Sequence, residues 1–198
     1  MQRIFHTPEG VRDIYSQECS RKQKLQEKLH RVFHQYGFED IETPTFEYFE
    51  VFSKEVGTIP SRDLYKFFDR EGNTLVLRPD FTPSVSRACA TYFNPEKEVV
   101  SLCYTGNTFI NNSSFRGRLK ETTQMGVERM GDDSPEADAE ILAMTVECLL
   151  ATGLTEFQVS VGQVDYYKAI FAQTGMSQEE EEELRELISQ KNYFGVEE

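Results

Sequence analysis

The sequence has no tryptophan, only three histidines and four cysteines, and no apolar run of about 18 residues. Each shortage excludes something. Without the apolar run, and with no signal-like segment in view, nothing reads as a membrane span, and a cytoplasmic protein is expected. Cys19, Cys89, Cys103 and Cys148 lie far apart and form no CxxC pair. Each sits in an otherwise regular run, so buried thiols in a reducing compartment are expected. So few histidines speak against a zinc site. His30 and His34 are spaced i, i+4 on a predicted helix and have the geometry to share a metal, but they read as exposed helix residues, and no metal or cofactor is assigned. Basic residues are also scarce: 21 Lys and Arg against 34 Asp and Glu give a formal net charge of −13. Non-specific nucleic-acid binding works by releasing counterions with Lys and Arg, so that balance argues against it.

What is present suffices for a packed core. Hydrophobic residues make up 38% of the 198, with 15 Phe and 9 Tyr. The length allows one large domain, or one domain and part of a second. After an extended lead-in, a helix is predicted from about Ser16 to Tyr36. Leu25, Leu29, Val32, Phe33 and Tyr36 recur on one stripe, and Gly37 stops it. A short strand follows at Phe38–Ile41, which Pro44 would leave at an edge or at a contact with another chain. The aromatic run Phe46, Tyr48, Phe49 and Phe52 reads first as core and second as a subunit contact. A hairpin over 64–77 turns at Arg70-Glu71-Gly72-Asn73. Thr82 then reads as the cap of a helix with Pro83 in its first position, carrying Val85, Ala88, Cys89 and Tyr92 inward. Further on, Ser134-Pro135 opens a helix to about Ala151, 157–161 alternates like a strand, and two helices follow at about 165–173 and 177–190, the second opened by a capping box.

The informative stretch is Leu102–Gly131. Two strand-like runs flank the polar segment 111–117, which reads as an antiparallel hairpin with a loop at its tip. On the return strand Thr122, Gln124, Gly126 and Glu128 share one face. An amide, a gap and a carboxylate thus stand at i, i+2 and i+4. Gly126 leaves room for something to lie flat between its neighbours. The matching ligand is a cation with several N–H donors, such as the ammonium group of an amino acid; an ordinary solvated sheet face is the alternative. Asp80 and Thr82, at a strand-to-helix junction, read equally as binding groups or as turn and cap residues.

Four segments carry a resemblance. TPEGVRDI (7–14), YGFEDIETPTFEYFEVF (36–52), LRPDFTPSVSR (77–87) and QMGVERMG (124–131) are similar, in that order, to the catalytic core of histidyl-tRNA synthetase and its relatives. The likeness covers nearly everything from Thr7 onward. It implies an α+β fold, a class II aminoacyl-tRNA synthetase-like core with an antiparallel sheet flanked by helices. It implies that residues 1–198 are one such domain, an N-terminal part of the family core, with 165–198 beginning a helical segment or insertion. The stretch containing Pro44 resembles motif 1, which implies a homodimer. By resemblance Asp80, Thr82, Gln124 and Glu128 hold the amino group of histidine, although Asp80 is shorter than the family's usual glutamate.

The departures separate this chain from a synthetase. The family places an arginine directly after a phenylalanine in motif 2 to clamp the ATP α-phosphate; here Ile110 follows Phe109. Losing one such donor commonly costs about 2.7–4 kcal/mol of transition-state stabilisation. The charged loop is replaced by Asn111-Asn112-Ser113-Ser114, and the usual histidine before Gln124 is missing. Arg116 and Arg118 remain as anion-binding candidates from a different backbone position. No catalytic residue is assigned. A kept amino-acid pocket beside a lost nucleotide clamp resembles the branch of the family that serves as regulatory subunits of ATP phosphoribosyltransferase. That likeness implies a non-catalytic protein of histidine biosynthesis, a short-form ATP phosphoribosyltransferase catalytic subunit as partner, histidine as effector, and no dealings with tRNA or membrane. A histidyl-tRNA synthetase core and another synthetase-like, amino-acid-dependent protein are the alternatives.

Overall fold

The computed structural model describes residues 5–53, 59–112, 117–189 and 192–197. The chain divides into two compact units, 1–155 and 156–198.

The first unit is built on one long hairpin. Strand β5 (Val100–Phe109) and strand β6 (Glu121–Met130) pair antiparallel over ten residues each, as the sequence pattern predicts. A two-residue strand β1 (Glu39–Asp40) joins the other edge of β5, and it runs parallel, so the sheet is mixed rather than purely antiparallel. The hairpin is covered on both sides because β5 alternates two apolar sets. Val100, Leu102 and Tyr104 meet helix α3 (Thr82–Tyr92) through Phe81, Val85 and Cys89. Cys103 points the other way and packs with Val32, Phe33 and Phe38 at the end of helix α1 (Ser16–Gln35), and with Met144 of helix α4 (Pro135–Thr152). Both long helices end at glycines of positive φ, α1 at the expected Gly37 and α4 at Gly153. Ser134 caps α4 by accepting from the Ala137 N–H at 3.2 Å.

A second sheet has the order β2 (Phe46–Tyr48), β4 (Thr74–Leu77), β3 (Lys66–Phe68), all antiparallel. A short helix α2 (Glu50–Ser53) follows β2. The β3–β4 turn is tied by Asp69 Oδ1, which accepts from the N–H groups of Glu71 and Asn73. Strand alternation in β2 turns Glu47 inward, where it pairs with Arg87 at 2.7 Å, and turns Phe46 and Tyr48 out. The core role expected for those two aromatics therefore fails, while Phe52 does fill it. Tyr92 is likewise exposed, because it falls in the last turn of α3, beyond the reach of β5.

In the second unit, 157–163 carries no strand; the alternating residues there stay exposed and have no partner strand among the described residues. Helix α5 (Val164–Thr174) and helix α6 (Gln178–Ser189) lie where expected, the latter with its capping box closed between Ser177 and Glu180. A short helix α7 (Tyr193–Glu197) was not foreseen. No described helix is long and apolar enough to cross a membrane.

Within the first unit, the two sheets are joined by Arg78. Its guanidinium is buried, donates to the carbonyls of Thr43 (2.8 Å) and Asn107 (2.9 Å), and lies 4.0 Å from the centroid of Phe81. It fits there only because Gly106 has no side chain: a Cβ would stand 2.5 Å from Arg78 Nη2 and 2.7 Å from Phe81 Cζ. Gly106→Ala should therefore destabilise the fold by about 1–3 kcal/mol, the usual penalty of overpacking a filled interior. A urea unfolding curve with an unchanged midpoint would show that the stack has room to move.

Candidate functional site

The four side chains expected to bind an amine converge. Asp80 ends the loop before α3, Thr82 opens that helix, and Gln124 and Glu128 come from the facing strand β6. Thr82 Oγ1 donates to Glu128 Oε1 at 2.6 Å, and Gln124 Nε2 donates to Asp80 Oδ1 at 3.1 Å. These two cross-links lace α3 to β6. Asp80 also accepts from the Phe81 N–H at 2.7 Å, so it organises the turn as well as facing the site. Thr82 does not cap α3: that helix has no side-chain cap, and the hydroxyl is committed to Glu128 instead.

The gap over Gly126 is filled by the protein itself. Tyr104 is the cross-strand partner of Gly126, and a Cβ on the glycine would stand 2.6 Å from the phenol carbon Cζ. The ring lies parallel to Phe81 at 4.3 Å, so Arg78, Phe81 and Tyr104 form one stack that ends above the glycine. The expected flat space is thus the seat of a phenol, whose hydroxyl takes a 3.4 Å contact from Gln124 Nε2. Sequence reasoning missed Tyr104. The signal was there: a tyrosine directly opposite a glycine in a hairpin register fixed by the alternation.

The electrostatics follow from this packing. Glu128 is half-buried, and burial pushes its carboxyl above the ordinary value; the negative charge of Asp80 pushes the same way, while the hydroxyls of Thr82 and Tyr104 oppose it. The Tyr104 hydroxyl is pushed up too, by burial first and then by Glu128 and Asp80. Two carboxylates and a phenol at close quarters make a site hungry for positive charge, which an ammonium group would satisfy with three N–H donors.

The anion-binding candidates fare differently. Arg116 lies outside the described residues, and Arg118, within them, is exposed. Ile110 closes the base of that loop, its N–H donating to the Lys120 carbonyl at 2.9 Å. The guanidinium of Arg78 is nearby but sits behind Phe81, bound to backbone carbonyls.

The family model for histidyl-tRNA synthetase matches residues 10–198. The chain is 43% identical over 194 residues to the ATP phosphoribosyltransferase regulatory subunit of Acetivibrio thermocellus, covering 98% of this chain and 46% of that one. It is 37% identical over 193 residues to the subunit of the same name from Clostridium acetobutylicum, covering 98% and 47%. Among solved structures, one described as an ATP phosphoribosyltransferase regulatory subunit/histidyl-tRNA synthetase from Bacillus halodurans superposes with a TM-score of 0.85 at 32% identity, over 98% of this chain and 50% of that chain. The apo histidyl-tRNA synthetase of S. aureus gives a TM-score of 0.61 at 26% identity, over 76% and 35%. The α+β, synthetase-like fold expected from the sequence is thereby established. The chain spans about half the length of the curated relatives it matches.

A carboxyl whose folded value is raised stabilises the protein fully below its ordinary range, and that contribution is lost as pH climbs through the raised value. Wild type should therefore lose stability relative to Glu128→Gln as pH climbs from the ordinary carboxylate range through the raised Glu128 value. Urea midpoints measured for both proteins across that interval test the sign; a constant difference would mean that Glu128 feels no burial.

Proposed function

The chain belongs to the histidyl-tRNA synthetase family, and we propose that within it the chain is the N-terminal part of a non-catalytic regulatory subunit of ATP phosphoribosyltransferase, a cytoplasmic protein of histidine biosynthesis. The observation that carries this reading is a contrast within one hairpin. The Thr82–Glu128 and Asp80–Gln124 hydrogen bonds bring together four polar side chains, which supports reading them as a cradle for an ammonium group, whereas Ile110 follows Phe109 at the position where the resemblance implies an arginine on the ATP α-phosphate. An alkyl side chain neither donates a hydrogen bond nor neutralises charge at the reacting centre. The names carried by the relatives support the same reading.

On this reading histidine occupies the cradle as an effector, its amino group against Asp80, Thr82, Gln124 and Glu128. The partner is a short-form ATP phosphoribosyltransferase catalytic subunit, and tRNA plays no part. Histidine changes the activity of the assembly to the extent that it binds one of its states more tightly. A homodimer through the motif 1 region is supported by the second sheet. Phe46, Tyr48 and Phe67 share one of its faces and are exposed, and an aromatic face of that kind is better covered than wet. The second reading, a histidyl-tRNA synthetase core, draws on the likeness to the S. aureus enzyme.

The full-length protein should show no histidine-dependent ATP–pyrophosphate exchange and should co-purify with a short phosphoribosyltransferase; robust exchange refutes the regulatory reading in favour of the synthetase. Calorimetric titration with histidine should give an affinity that falls about tenfold or more in Glu128→Gln, the scale of one charge-assisted hydrogen bond. Binding to the wild type should also tighten as pH rises through the raised Glu128 value, since the ammonium needs the ionised form. An affinity indifferent to both pH and substitution would place the effector elsewhere.

A further inference from the structure

On the opposite face of β5 from the amine cradle, three elements bring together four side chains with metal-ligand chemistry. His30 and His34 lie one turn apart on α1, with ring centroids 5.0 Å apart. The chain turns at Gly37 and enters β1, whose Asp40 pairs directly with Cys103 in the parallel ladder. The Asp40 carboxylate reaches all three others: His34 Nε2 at 3.1 Å, His30 Nδ1 at 3.3 Å and Cys103 Sγ at 3.4 Å. One nitrogen from each ring, the sulfur and a carboxylate oxygen all lie within 4.8 Å of one another.

Those separations are close to what a tetrahedral ion requires. Bonds of about 2.0–2.1 Å to nitrogen and oxygen and 2.3 Å to sulfur imply ligand–ligand edges of about 3.3–3.7 Å. Two edges of the tetrahedron, from Asp40 Oδ1 to His30 and to Cys103, are therefore nearly drawn already, and His34 sits against the other oxygen of the same carboxylate. The ligand types suit zinc, which accepts thiolate, imidazole and carboxylate together. Charge closes as well, since a divalent cation is balanced by one thiolate and one carboxylate, leaving no net charge at a half-buried site. Cys103 is fully buried and fixes the set from below, while His34 and Asp40 are open to solvent and give the ion a way in. His30 and His34 line a cleft of about 990 Å³ together with Thr105. Thr105 Oγ1 is buried and has no hydrogen-bond partner among the described residues.

We infer that His30, His34, Asp40 and Cys103 form a divalent transition-metal site, with zinc the preferred ion, which clamps the end of α1 to β1 and the middle of β5. On binding, the Cys103 thiol releases its proton to solvent, both imidazoles bind as neutral rings, and the carboxylate exchanges its hydrogen bonds for coordination. The site is separate from the amine cradle and does not depend on how that cradle is used.

The test uses the untagged full-length protein, stripped with a chelator and titrated with Zn²⁺ against a chromophoric competitor, and in parallel with Co²⁺. One equivalent of zinc should bind. The cobalt form should show a thiolate-to-metal charge-transfer band and the intense visible bands of a tetrahedral ion. His34→Gln, at an exposed position that leaves the core untouched, should weaken zinc binding by more than about 100-fold, the most that losing a merely supporting group costs. Cys103→Ser should abolish the charge-transfer band. Zinc affinity unchanged in His34→Gln, or a cobalt spectrum that is octahedral and free of thiolate, would overturn the proposal and leave a hydrogen-bonded cluster in its place.

Discussion

A buried guanidinium holds the first unit together. Arg78 sits between the two sheets, donating to the carbonyls of Thr43 and Asn107 and stacking on Phe81. A buried charge is tolerated only when its donors are met, and here backbone carbonyls from two distant segments meet them. Phe81 stacks in turn on Tyr104, and Tyr104 covers Gly126. One chain of contacts thus runs from the segment after β1 to the floor of the amine cradle. Position and chemistry in the site are consequences of that stack, because Asp80 and Thr82 flank the very residue, Phe81, that is clamped inside it.

The cradle itself is held slightly against its own comfort. Glu128 is half-buried beside Asp80 with only hydroxyls to support its charge, so its carboxyl is pushed towards the protonated form. On the proposed reading, an ammonium group would supply the positive charge that the protein itself does not place there. At the base of the same hairpin Ile110 is tied by its backbone N–H to the Lys120 carbonyl, and its side chain brings no charge.

The two faces of β5 divide the labour. Tyr104 and Gly106 serve the stack and the cradle, while Cys103 and Thr105 face α1 and the histidines. Because the side chains alternate, a change in register by one residue would exchange these sets and destroy both. The parallel pairing of β1 is what delivers Asp40 to Cys103, and Gly37 is what lets the chain turn back to make that pairing.

Periodicity and punctuation were enough to locate the hairpin, the long helices and their glycine stops, and the residue types on β6 were enough to name Gln124 and Glu128 as a polar face. Motif order was enough to add Asp80 and Thr82. What failed were the readings that depend on distance across the fold. Thr82 reads locally as a cap, yet Glu128 lies within reach and takes its hydroxyl. Gly126 reads as a vacancy, yet Tyr104 fills it. Phe46 and Tyr48 read as core, yet the pairing of β2 turns Glu47 inward to meet Arg87. His30 and His34 read as surface residues, and only the parallel seating of β1 on β5 brings Asp40 and Cys103 to them. The amino-acid order by itself determined which elements form and which chemical groups each face offers, because those follow from local sterics and alternation. Tertiary structure alone decided which groups meet, because partners separated by tens of residues are chosen by packing, and no local pattern encodes a distance.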